Sequence, residues 1–109
     1  MISDTLYTVA VVLVLVLLGL FVQSLAPTAN ELCAAHPSWS SVECERIAER
    51  KIWLGMDEEQ LIASWGHPTD INRTVSAHGS REQWVYRRSY QTSYVYLEEG
   101  SVTSWQIYE

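Results

Sequence analysis

The sequence predicts an α+β protein. An N-terminal transmembrane helix leads into two or three short helices packed on one face of a four-stranded antiparallel sheet. Three observations carry this. Leu6 to Leu25, "LYTVAVVLVLVLLGLFVQSL", is an almost unbroken apolar run. Between Thr28 and Pro68, capping and stopping residues punctuate short stretches at helical spacing. From Asp70 to Tyr108 the apolar period falls to two, the period of a strand. A chain of 109 residues has room for one folded domain.

The apolar run comes first. Twenty helical residues rise about 30 Å, the hydrocarbon thickness of a bilayer. Its valines favour a strand in water, but in lipid every backbone group must be paired internally, and a helix does that. The expected division is a membrane anchor over residues 1–26 with its helix at about 6–25, a linker over 27–30, and a domain over 31–109. A cleaved export signal needs a basic start, and the only charged side chain before the run is Asp4. Pro27 directly after Ser24-Leu25-Ala26 also disfavours cleavage, so a retained anchor is expected. The alternative is an exported, inhibitor-like protein whose signal is cleaved. Basic residues do not orient the anchor, because the first is Arg46.

Thr28 with Glu31, Ser40 with Glu43, and Asp57 with Gln60 each have the spacing of a capping box. Pro37 stops the first short helix. In the second, Cys44, Ile47, Ala48, Lys51 and Ile52 fall on one face, and Gly55 is read as its end. In the third, Leu61, Ile62 and Trp65 share a face, Gly66 stops it and Pro68 prevents continuation. Cys33 and Cys44 are the only cysteines. An isolated pair in a small exported domain is most simply a disulfide, here a staple between two helices, and it places the domain outside the cytoplasm.

The strands follow over Asp70–Val75, Arg81–Arg87 and two runs between Thr92 and Tyr108, the last two broken by Glu98-Glu99-Gly100-Ser101. With helices on one face only, Val95 and Leu97 point to the core and Tyr94 and Tyr96 point outward. Outward tyrosines suit a protein or glycan interface, so Tyr94, Tyr96 and Tyr108 are the candidate contact residues. Trp65, Trp84 and Trp105 are expected in the core.

"GMDEEQLIASWGHP", "EQWVY" and "YVYLEEGSVTSWQ" together resemble the SmpA/OmlA domain family, which includes BamE-like outer-membrane assembly lipoproteins and shares the fold of the β-lactamase inhibitor proteins. The matching positions are Gly55, Met56, Asp57, Gln60, Trp65, Gly66, Pro68, Trp84, Tyr86 and Gly100, with Val102 or Thr103, over about residues 50–108. The resemblance implies a non-enzymatic binding or scaffolding module outside the cytoplasm. This chain lacks the lipidated cysteine of the lipoprotein members, so a retained helix would keep it at the inner membrane.

Other chemistries find little footing. All seven Lys and Arg, and all but one of the thirteen acidic residues, lie after the apolar run, so the domain is acidic. That disfavours nucleic acid as partner and a flat seat on anionic lipid. Asp57, Glu58 and Glu59 are adjacent, and adjacent residues on a helix diverge instead of converging on a metal or a reacting group. A zinc or thiol site built from Cys33, His36, Cys44 and His67 is the competing reading, but the second short-spaced ligand pair of a structural zinc site is missing. No catalytic residue, metal or cofactor is assigned. The expected partners are the bilayer through residues 6–25 and a protein of the cell envelope.

Overall fold

The computed structural model describes the backbone of residues 2–108 and the side chains of residues 6–17 and 26–108. Helices α1 (Ile2–Leu25), α2 (Ala29–Ala35), α3 (Ser41–Ala48) and α4 (Glu58–Trp65) precede strands β1 (Asp70–Ser76), β2 (Gly79–Arg88), β3 (Gln91–Glu98) and β4 (Ser101–Tyr108). The chain is α+β, and the strands form one antiparallel sheet in the order β1-β2-β3-β4.

Among the described residues no helix is long and apolar enough to cross a membrane. The side chains of α1 that are described, residues 6–17, form a run shorter than a bilayer, so the expected span at 6–25 lies partly outside them. Every one of those side chains is exposed, including Leu13, Leu15 and Leu17.

The three short helices begin as their caps dictate. The Thr28 side chain accepts a hydrogen bond from the Glu31 amide at 3.2 Å. Ser40–Glu43 and Asp57–Gln60 are complete capping boxes, with both reciprocal bonds made. The Cys33–Cys44 disulfide joins α2 to α3. Gly66 stops α4 with φ +86°.

The end of α3 differs from the sequence reading. The helix stops at Ala48, so Lys51 and Ile52 lie beyond it and Gly55 does not end it. Arg50 takes φ +59°. Its amide donates to Ile47 O, and the Lys51 amide reaches back to Arg46 O. This is a Schellman stop with an arginine where glycine is usual. Gly55 serves another end: its amide donates to Val102 O at 2.8 Å and ties the loop before α4 to β4.

The main core lies between α4 and one sheet face, with Met56, Leu61, Trp84, Tyr86, Val95, Leu97 and Val102 buried together and Trp65 packed beside them. A second cluster, Leu32, Trp39, Cys44 and Ile47, sits between α2 and α3, and Trp53 touches both. Trp105 departs from its expected place. It pairs with buried Val95 and so shares the helix-covered face, but it stands on the edge strand and keeps 37% exposure. A bulge beside Tyr96 and Leu97 turns Val102 inward instead.

Candidate binding surface

The three acidic residues that open α4 go three separate ways. Asp57 caps the helix. Glu59 reaches His36 Nδ1 at 3.2 Å, and that imidazole stacks on Trp39 at a centroid distance of 3.7 Å. Glu58 hydrogen-bonds the Glu82 carboxyl. Glu82 is 6% exposed and also accepts from Arg73 and from Trp84 Nε1, each at 3.3 Å. Its bond to Glu82, then burial, holds the Glu58 carboxyl above its ordinary range. Burial alone pushes Glu82 up, but the hydrogen bonds from Glu58, Trp84 and Arg73 outweigh it and leave Glu82 below its ordinary range. The group is a clasp between α4 and the sheet.

Both cysteines are consumed by the disulfide, so neither offers a thiolate. Among the described residues no three His, Cys, Asp or Glu side chains gather as a metal site. The signature residues serve the fold. The Tyr86 hydroxyl donates to Gly66 O at 3.0 Å, and burial raises its pKa. Gly100 takes φ +78° in the β3–β4 turn.

The sheet face away from the helices is a different surface. Strand alternation and register place Asp70, Asn72 and Thr74 of β1 on it. Arg81, Gln83, Val85 and Arg87 of β2 join them, with Thr92, Tyr94, Tyr96 and Glu98 of β3. Ser104, Gln106 and Tyr108 complete it. Tyr94 and Tyr96 are half-buried here and Tyr108 is exposed. Tyr94 and Tyr108 meet edge to face at 5.8 Å. Val85, opposite Tyr94, is buried although no helix covers it.

A chain of hydrogen bonds crosses all four strands on this face. Asn72 Nδ2 donates to Gln83 Oε1 at 2.9 Å, and Gln83 Nε2 donates to the Tyr96 hydroxyl at 3.2 Å. The Tyr96 hydroxyl donates to Gln106 Oε1 at 3.3 Å, and Tyr108 donates to the same oxygen at 3.2 Å. The four charged side chains of the face pair off as Asp70 with Arg87 and Arg81 with Glu98. A chain of net charge −6 thus presents one face that is electrically balanced.

The structure brings the predicted Tyr94, Tyr96 and Tyr108 onto one surface. Sequence reasoning missed their amide partners Asn72, Gln83 and Gln106. The signal was available in principle, because the two hairpin turns fix a register that sets Asn72, Gln83 and Tyr96 side by side. Comparison with family models, curated proteins and solved structures finds no match to this chain.

Proposed function

We propose that this protein is a membrane-anchored, non-enzymatic binding or scaffolding module of the cell envelope. Helix α1 holds it at the inner membrane, the disulfide-stapled domain lies on the extracytoplasmic side, and the tyrosine–amide face engages the partner. The domain is an SmpA/OmlA-like module, and its work relates to outer-membrane assembly or envelope maintenance. The observation that supports anchoring is α1 itself: its described side chains, almost all apolar, are exposed on every side of the helix, a pattern suited to lipid. The balanced, hydrogen-bonded outer face supports binding without catalysis, because its polar groups are held in place by one another.

The test is photo-crosslinking in native membranes with a reactive residue at position 94 or 108, against a control at exposed Leu54. Discrete adducts at 94 and 108 but not at 54 are expected. Adducts only at 54, or none, would remove the face as the contact surface. A reporter fused after residue 109 checks the side of the membrane, and activity of a reporter that works only in the cytoplasm would overturn that placement.

A further inference from the structure

The outer face carries more than tyrosines. A shallow groove of about 370 Å³ crosses it over the row Asn72, Gln83, Tyr96 and Ser104, with the Arg81–Glu98 pair to one side. The four residues of the row come one from each strand, in register. The groove therefore runs across the strands, and its floor repeats at the interstrand spacing of about 4.8 Å.

Three features select the occupant. The charged side chains of the face are neutralised in pairs, so a strongly charged ligand finds no free counter-charge. The floor offers the amides of Asn72 and Gln83 and the Tyr96 hydroxyl, fixed in a chain that continues to Gln106 beside the groove, with Gln106 Nε2 and Asn72 Oδ1 left without hydrogen bonds among the described residues. These ends present a donor at β4 and an acceptor at β1. Finally, a β-1,4-linked pyranose chain advances per sugar by nearly one interstrand spacing, so successive sugars meet successive strands.

We propose that this groove binds a linear β-1,4-linked glycan of N-acetyl amino sugars, laid perpendicular to the strands. The ring of Tyr96 supplies a surface for the apolar face of one sugar. The amide ends at Asn72 and Gln106 bond acetamido groups, which carry one donor and one acceptor each. The proposal rests on the reading of the outer face as the contact surface and names its ligand.

The experiment is a titration of the full chain in nanodiscs with chitotetraose, followed by NMR of the Asn and Gln side-chain amides. Maltotetraose, with an α linkage and no acetamido groups, is the control. Saturable shifts at Asn72, Gln83 and Gln106 are expected with chitotetraose alone. Gln83→Ala should weaken binding about 10-fold, as loss of a central hydrogen bond does, and Asn72→Ala should weaken it as well. Arg88→Gln, on the other face, should leave it unchanged. No saturation with chitotetraose, an equal response to maltotetraose, or indifference to both alanine variants would overturn the proposal. If crosslinks at 94 and 108 persist without glycan binding, the ligand is wrong and the face is right. If both fail, the surface itself falls.

Discussion

Gln60 Nε2 donates to Glu43 Oε2 at 2.8 Å, and this one bond joins two helix caps. Glu43 Oε1 already accepts from the Ser40 amide, and Gln60 Oε1 accepts from the Asp57 amide. The N-termini of α3 and α4 are thereby one hydrogen-bonded unit, with Gln60 only 4% exposed at its centre.

Gln60→Ala is predicted to cost about 1.5–3 kcal/mol, from the lost reciprocal bond of the capping box and a lost bond to a charged group, while the Asp57 cap itself is kept. Thermal melts at pH 7 check this. The Ser40 amide, then the Gln60 amide, holds the Glu43 carboxyl below its ordinary value of 4.5. A carboxyl lowered on folding contributes stability above its unfolded pKa and loses it as pH falls through the folded one. Glu43→Gln should therefore destabilise at pH 7 and lose much of that effect near pH 3. An equal loss at both pH values would contradict the assignment.

The Glu58–Glu82 clasp predicts the opposite sign for its raised member. A carboxyl raised on folding contributes below its unfolded pKa, and that contribution disappears as pH rises through the folded value. Glu82, being lowered, contributes above its unfolded pKa. The pair is therefore strongest in mildly acidic solution, where it holds one proton. Glu58→Gln fixes a donor toward Glu82 at every pH. It should raise the melting temperature at pH 7 by about 2–4 °C, equivalent to roughly 0.5 kcal/mol in a domain this size. The gain should shrink toward pH 4.5, and a gain that grows on acidification would contradict the pairing.

Arg50 at φ +59° predicts a simple stabilisation. Arg50→Gly removes the left-handed penalty of a residue with Cβ and keeps the Schellman bonds, for a gain of about 0.5–1 kcal/mol. Arg50 O accepts from Trp65 Nε1 at 2.9 Å, a backbone contact that the substitution preserves. Urea denaturation with an unchanged slope would confirm it.

Reduction of Cys33–Cys44 should lower stability by about 3 kcal/mol, the loop-closure estimate for a short bridge. The effect should appear first in α2 and the cluster around Leu32 and Trp39, because that cluster packs on the bridge. Hydrogen exchange with and without reductant reads this out. Uniform loss across the sheet would mean the two clusters do not open separately.

Much of the fold was legible because its signals are local. Ser40 with Glu43 and Asp57 with Gln60 announce helices by spacing alone, and alternation placed Val95, Leu97, Tyr94 and Tyr96 on the correct faces. What failed depended on neighbours distant in sequence or on a rule broken locally. Arg50 ends α3 in a conformation that sequence reserves for glycine, so Gly55 was credited instead. Trp105 has the pattern of a core residue, but the edge position of β4 decides its exposure. The Glu58–Glu82 contact joins a helix to a strand, and no periodicity within either one encodes it. The tyrosines of the outer face were legible, while the amides that fix their hydroxyls emerged only from the strand register.

The bulge in β4 and the Gly55–Asp57 loop have a consequence for association. Gly55 and Met56 bond to Val102, and Asp57 bridges Ser101, so the first part of that edge is occupied. Among the described residues the far edge has no such guard. Ser80 turns both its amide and its carbonyl toward Glu99, so Val75 opposite it, and by alternation Arg73 and Ile71, aim their backbone groups at solvent. Ile71 and Val75 also stand exposed there. A sheet that is open on one side and interrupted on the other can accept one added strand but is poorly built to pass the offer on. Its self-association, where it occurs, terminates early instead of propagating into a filament.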